Sequence, residues 1–153
     1  GYLYQDDLLL KNLSVRDNLK LEEYAQNKKV DQEEINTITT KLGIDELLDK
    51  KVSDLSGGER KKSEILQLKM LNPKLAMLDE TDSGLDVDAV RIVSSGIKDY
   101  LSEDNAVIII THHRELLENI KADYVHVIKD GKIAHEGDDS LMDEIEKRGY
   151  EWV

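Results

Sequence analysis

Three consecutive residues, Ser56, Gly57 and Gly58, have the types and order of a phosphate-binding turn. Paired glycines let the backbone turn sharply and expose N–H groups, and the helical pattern that follows places a helix N-terminus there. A phosphate at this turn would meet the serine hydroxyl, the glycine amides and the positive end of the helix dipole. An ordinary serine cap fits the same residues, so the neighbouring segments must decide between the two interpretations.

Two carboxylates, Asp79 and Glu80, end a short apolar run that begins at Lys74. The run follows Pro73, and its length is typical of a buried strand in a parallel sheet. Acids at the carboxyl end of such a strand lie where these sheets bind ligands. Asp79 is therefore a candidate for holding Mg²⁺, and Glu80 for polarising a water molecule. The alternative interpretation is a solvated strand end.

Hydrophobic periodicity predicts the elements that would position these residues. A second buried strand over 106–110 ends in Thr111 and His112. Asp130 and Gly131 predict a type I′ hairpin turn between alternating strands. The predicted helices span about 15–26 with an apolar face at Leu19 and Leu21, 32–42 with an Asp31 cap, 58–71 with a buried face of Ile65, Leu66, Leu68 and Leu71, 87–101 and 139–148. The basic run 60–62 is interpreted as solvated.

Composition narrows the classes of function. The 153 residues carry 33 acidic and 21 basic side chains, a net charge of −12, so the chain lacks the basic footprint of a nucleic-acid-binding protein. There is no cysteine, which excludes a thiolate metal site built from this chain. No apolar run is long enough for a transmembrane helix, and the expectation is a cytoplasmic protein without direct membrane insertion.

The order Leu55-Ser56-Gly57-Gly58-Glu59, then Leu78-Asp79-Glu80, then a strand ending in His112 resembles the ATP-binding cassette (ABC) ATPases. The resemblance implies an α/β fold, the C-terminal part of a P-loop NTPase domain, with a helical subdomain and a mostly parallel sheet ending in a hairpin. It implies ATP and Mg²⁺ as ligands. The implied catalytic residues are Glu80, His112 and Gln5. The implied nucleotide contacts are Ser56, Gly57, Gly58 and Asp86, and the implied Mg²⁺ contacts, through water, are Asp79 and Gln5.

The implied domain is divided into a Q-loop region over 1–10, a helical subdomain over 11–54, and a region over 55–153 that carries the remaining motifs. No G-x-x-x-x-G-K-[ST] motif, the P-loop, occurs in the chain. We therefore expect the C-terminal two-thirds or so of an ABC ATPase, with weak or no ATP binding by the chain alone. We also expect exposed apolar surface, because core strands are missing.

Blocks within residues 52 to 153, notably 80–86, 110–112 and 149–152, are similar to the ABC ATPase of the Suf iron–sulfur cluster assembly pathway. Residues 1 to 20 look more like a transporter ATPase. Three functions follow: a dimeric Suf-type ATPase that reshapes a scaffold, the ATPase subunit of a membrane transporter, or a non-catalytic partner-binding fragment. The helical subdomain would contact Suf-type scaffold proteins or a permease, and a second ABC subunit would complete an ATP sandwich.

Overall fold

The computed structural model describes residues 2–3, 8–26, 29, 31–111, 114–149 and 152, with the side chains of 2–3 and 22–26 excepted. Five helices and five strands occur in these residues. In chain order they are β1 (Tyr2–Leu3), α1 (Val15–Gln26), α2 (Gln32–Leu42), α3 (Gly57–Leu71), β2 (Leu75–Asp79), α4 (Val87–Tyr100), β3 (Ala106–Ile110), β4 (Val125–Lys129), β5 (Lys132–Gly137) and α5 (Ser140–Arg148). Short 3₁₀ turns cover Asp45–Leu47, Val52–Asp54 and Arg114–Leu117.

Two small sheets form the β structure. Strands β1, β2 and β3 lie side by side in that order and run parallel, with Asp79 paired with Ile110 at the carboxyl end. Strands β4 and β5 form a separate antiparallel hairpin. Its turn residues Asp130 and Gly131 have φ of 52° and 73°, the positive values that a type I′ turn requires. The predicted mixture of a parallel sheet and a terminal hairpin is confirmed.

The helical part, α1 and α2, begins and ends at the predicted residues. The Asn18 side chain fixes the chain as it enters α1, because its Oδ1 accepts from the Leu10 N–H at 2.7 Å and its Nδ2 donates to the Leu10 and Ser14 carbonyls. Asp31 caps α2, and Gly43 ends it with φ of 64°. The apolar face predicted for α1 is wrong at Leu21, which is 44% exposed.

Helices α3 and α4 cross closely in the core. A Cβ atom at Gly96 of α4 would lie 2.6 Å from Cγ2 of Ile65 on α3, so the absence of a side chain sets this approach. Ile65, Leu66 and Leu68 are buried as predicted, whereas Leu71, near the end of the helix, is only half-buried. The close crossing fixes α3, which carries the glycine pair, relative to the start of α4.

The two strands predicted as fully buried are only partly so. On β2, Ala76 and Leu78 are buried but Leu75 is 45% exposed. On β3, the outer strand of the described sheet, Ile108 and Ile110 are 47% and 49% exposed, so the face that carries them is largely uncovered. The expected exposed apolar surface is confirmed here.

Candidate functional site

The predicted phosphate turn forms the N-terminus of α3. The Ser56 hydroxyl accepts from the Glu59 N–H at 3.3 Å, and the Ser56 N–H donates to Glu59 Oε2 at 2.8 Å, a reciprocal capping box. The hydrogen bond from Ser56 lowers the pKa of Glu59. Gly57 and Gly58 are the first helical residues, and amides at these positions have no partner within a helix. The helix end therefore offers N–H groups to an anion, with Ser56 and Gly57 exposed to solvent.

Gly58 brings this turn against the start of α4. A Cβ atom at Gly58 would lie 3.4 Å from Cβ of Ala89, and 4.0 Å from a methyl group of Leu85. Asp86 lies between Leu85 and Ala89 in the chain, and its Oδ1 caps α4 by accepting a hydrogen bond from the Ala89 N–H at 2.7 Å. The structure thus brings Ser56, Gly57 and Gly58 to the part of the molecule that contains Asp86.

Asp79 and Glu80 lie at the carboxyl edge of the parallel sheet. Asp79 is the last residue of β2, and both side chains are half-buried. The Glu80 N–H donates to the Ile110 carbonyl at 2.8 Å, which ties the end of β2 to the end of β3. Glu80 adopts φ of 43°, a left-handed conformation that is uncommon for a residue other than glycine. Such conformations cluster at functional sites, where the surrounding structure holds them.

Asp82 and Thr111 form a buried contact that the sequence interpretation missed. The Thr111 hydroxyl donates to Asp82 Oδ2 at 2.7 Å, and the Asp82 residue is only 3% exposed. Asp82 Oδ1 and the hydroxyl of Thr81 are buried with no hydrogen-bond partner among the described residues. A Thr directly after an apolar strand, and an Asp two residues after Glu80, were the available signals. The bond joins the loop after β2 to the residue that precedes His112.

Gln5 and His112, two of the predicted site residues, lie outside the described residues, as does His113. Within the part of the chain that the structure describes, no group of three or more acidic or histidine side chains could hold a metal ion. A single half-buried carboxylate such as Asp79 still suits Mg²⁺, which keeps most of its water ligands and binds through one or two carboxylates.

The basic run after the glycine pair is less solvated than expected. The Lys61 Nζ lies 3.0 Å from Glu64 Oε2, and the two side chains are 15% and 1% exposed. Ser63 and Gln67 are also buried, so α3 has a buried polar face that hydrophobic periodicity did not predict. Lys61 therefore compensates a buried carboxylate rather than extending into solvent.

A cavity of about 360 Å³ lies away from these residues, beside α4 and the 114–117 turn, and none of the predicted site residues lines it. Its lining carries charges of both signs, including Lys98, Lys121 and Asp139. In the described residues, the predicted site thus consists of an exposed helix N-terminus and a half-buried sheet edge.

Comparison with known proteins identifies the family of this chain. The ABC transporter family profile matches residues 1–83, which is more than half of the chain. The chain belongs to the ABC transporter family. An ATP-binding cassette of an ABC transporter of known structure superposes with a TM-score of 0.73 at 23% identity, covering 96% of this chain and 64% of that one. That likeness shows the fold, an ABC ATP-binding domain.

Two curated relatives of this ABC family member bear names that point in different directions. "Probable ATP-dependent transporter ycf16" of Trieres chinensis is 37% identical over 161 aligned residues, covering 98% of the chain and 64% of the relative. "Iron-sulfur cluster assembly protein SufC" of Plasmodium falciparum is 46% identical over 112 residues, covering 72% of the chain and 32% of the relative. The chain spans less than two thirds of the length of these relatives. In the described residues, no helix is long and apolar enough to cross a membrane.

Proposed function

We propose that the protein is an ABC-type ATPase that drives conformational change in an iron–sulfur cluster assembly scaffold. One observation carries the ATPase proposal. Directly after Asp79, Glu80 adopts a left-handed backbone conformation, and its N–H donates a hydrogen bond to the Ile110 carbonyl. A carboxylate fixed at this edge of a parallel sheet is placed to act on a ligand there. The scaffold assignment is supported by the likeness to SufC and by the blocks within residues 52–153.

In this proposal, two subunits enclose ATP between them. The amides of Gly57 and Gly58, with the Ser56 hydroxyl, bind the γ-phosphate of a nucleotide held by the opposite subunit. Asp86, the N-cap of α4, would contact the opposite subunit across the nucleotide. Because Ser56 and Gly57 are exposed to solvent, the helix end is accessible to such a partner. Closure of the two subunits would then be required for chemistry.

Glu80 would accept the proton of the attacking water or orient it, which is the role of a general base in phosphoryl transfer. Gln5 and His112 are proposed to fix the water and the γ-phosphate from the neighbouring loops. Mg²⁺, held through water by Asp79 and Gln5, would neutralise charge on the phosphates. The bond between Thr111 and Asp82 would keep the end of β3 at a constant distance from the loop after β2.

The test of the ATPase proposal is Glu80→Gln in the full-length protein. The substitution keeps the shape of the side chain but removes the base, so we expect at least a hundredfold loss of hydrolysis, with ATP-dependent dimerisation retained. Glu103→Gln, at an exposed loop residue, is the matched control and should leave turnover unchanged. Unchanged turnover in Glu80→Gln would contradict the proposal. No hydrolysis by the unmodified protein would favour a non-catalytic partner-binding role.

A transporter subunit is the second candidate, supported by the transporter name of the Trieres chinensis relative and by the likeness of residues 1–20 to transporter ATPases. The two candidates differ in the partner, because one requires soluble scaffold proteins and the other a membrane permease. Affinity purification of the tagged protein from its own cells, with and without detergent extraction of membranes, distinguishes them. Co-purification of a permease in place of scaffold proteins would overturn the scaffold assignment.

A further inference from the structure

Arg114 joins the segment after β3 to the last helix. Its Nη2 donates to Asp143 Oδ1 at 2.5 Å, and its Nη1 donates to Glu146 Oε2. Asp143 and Glu146 lie three residues apart on α5, so they are neighbours on one helix face and hold one guanidinium between them. The hydrogen bond to Asp143 raises the pKa of Arg114. Two carboxylates of the same helix therefore hold the Arg114 guanidinium.

The segment around Arg114 is anchored on both sides. On the N-terminal side, the Thr111 hydroxyl donates to the buried Asp82 at 2.7 Å. On the C-terminal side, Leu116 is fully buried and Ile120 is 7% exposed, which seats the 114–117 turn in the core beside α4. Two residues of the sequence, His112 and His113, separate Thr111 from Arg114. The two side-chain contacts thus flank the histidine that the proposed function assigns to the γ-phosphate.

Helix α5 is attached to the rest of the chain by few contacts. None of its residues is buried. Asp139, just before the helix, accepts from the Ala122 N–H at 3.1 Å. Leu141 packs against Gly137 of β5, where a Cβ atom would lie 3.3 Å from the Leu141 Cβ. The contact with Arg114 therefore ties α5, and the C-terminal hairpin before it, to the turn that follows β3.

We propose that Arg114, two residues after the proposed catalytic His112 in the sequence, is a positioning residue through which α5 holds the 114–117 turn in place. The inference rests on the proposed ATPase function and adds a dependence on the C-terminal helix. The ion pairs are exposed, with 43% of the Arg114 side chain accessible, so they contribute little to the stability of the fold. Their effect is expected instead in the rate of the chemical step, which is sensitive to small displacements of catalytic groups.

The test compares two ways of breaking the contact in the full-length protein. Arg114→Ala removes the guanidinium, and the double variant Asp143→Asn with Glu146→Gln removes its partners while leaving Arg114 in place. Both should lower kcat roughly fivefold with KM for ATP unchanged within about twofold, and Arg114→Lys should recover part of the loss. Two substitutions are the matched controls. Arg91→Ala breaks an exposed ion pair on α4, in which Arg91 Nη1 lies 3.9 Å from Asp88 Oδ1. Glu144→Gln removes an exposed carboxylate on α5 that does not contact Arg114.

A loss of kcat in Arg114→Ala without a loss in the double variant would show that Arg114 acts through its own charge, and would overturn the proposal. No loss in either would also overturn it. Hydrogen–deuterium exchange of residues 111–120, measured without nucleotide, gives a readout that does not depend on hydrolysis. Faster exchange in both variants is expected, and unchanged exchange would reject the link even if the unmodified protein proved inactive as an ATPase.

Discussion

The hydrogen bond between the Thr111 hydroxyl and the Asp82 carboxylate joins the two loops of the candidate site. Thr111→Val keeps the side-chain shape but removes the only hydrogen bond described for the carboxylate of Asp82, a residue that is 3% exposed. Leaving a buried acceptor unpaired costs about 1–3 kcal/mol, so the free energy of unfolding should fall by that amount in denaturant titration. Thr37→Val is the control, because the Thr37 hydroxyl donates to the Glu33 carbonyl on the exposed side of α2. Equal losses in the two variants would contradict this account.

Single residues were predictable where their partners are close in the sequence. The capping box of Ser56 with Glu59 joins residues three apart, and it follows from their spacing. The bond from Thr111 to Asp82 joins residues 29 apart, and it depends on two strands lying side by side. Local spacing contains no such information, which is why Asp82 was missed. The assignments of Gln5 and His112 stay predictions.

The position of the glycine pair, Gly57 and Gly58, depends on the close crossing of helices α3 and α4. Gly96→Ala places a Cβ atom 2.6 Å from Ile65 Cγ2, so the two helices must separate or shift. Overpacking costs about 1–3 kcal/mol, and an approach as close as 2.6 Å places this substitution toward the upper end, above the roughly 1 kcal/mol that alanine gains through helix propensity. Thermal unfolding should show a lower Tm for Gly96→Ala. Ser95→Ala, one residue earlier on an exposed position, should raise or retain the Tm; a rise in Gly96→Ala would refute the close crossing.

The N-terminus of α3 should also respond to acid. The pKa of Glu59 in the folded chain lies below its ordinary value of 4.5, because the carboxylate accepts from the Ser56 N–H. Its stabilising contribution is therefore complete above pH 4.5 and is lost as the pH falls through the lowered folded value. Protection of the Ser56, Glu59 and Arg60 amides from exchange, relative to the intrinsic rate at each pH, should fall over that range, as measured by NMR. In Glu59→Gln, which keeps an acceptor but does not titrate, this pH-dependent loss of protection should disappear; its persistence would assign the transition to another group.

The ends of the helices were predicted better than the burial of the strands. The physical reason is that helix ends depend on neighbouring residues in the chain, whereas burial depends on distant ones. Helix ends follow from caps such as Asp31 and Gly43, which act on their own neighbours in the chain. Burial depends on what covers a face. An apolar run such as 106–110 looks the same whether one face or both faces are covered, and in the structure Ile108 and Ile110 are half exposed.

The sequence could not predict the order of the strands or the separation of the hairpin from the parallel sheet, and both are seen only in the structure. Alternation predicted that β4 and β5 pair, because the turn between them is local. It could not predict which face the hairpin would bury. In the structure, Val127 is 6% exposed, while Tyr124, Ile128 and Ile133 are 82%, 70% and 59% exposed.

This uneven burial predicts that the hairpin binds fluorescent dyes that recognise exposed apolar surface. Ile128 and Ile133 are paired across the two strands and both are largely exposed, which makes an apolar patch on the surface of the hairpin. The double variant Ile128→Thr with Ile133→Thr should bind less 8-anilinonaphthalene-1-sulfonate than the unmodified 153-residue chain, with the same Tm, because threonine retains the preference for strands.

Two controls separate loss of the patch from general changes in folding. Val87→Thr replaces a 61% exposed valine at the start of α4 and should leave dye fluorescence close to that of the unmodified chain. Val127→Thr places a hydroxyl at a 6% exposed position and should lower the Tm by about 2–12 °C, since an unpaired buried hydroxyl costs about 1–3 kcal/mol. Undiminished dye binding in the Ile128 and Ile133 variant would place the exposed apolar surface elsewhere, and the outer face of β3, with Ile108 and Ile110, would then be the surface to substitute next.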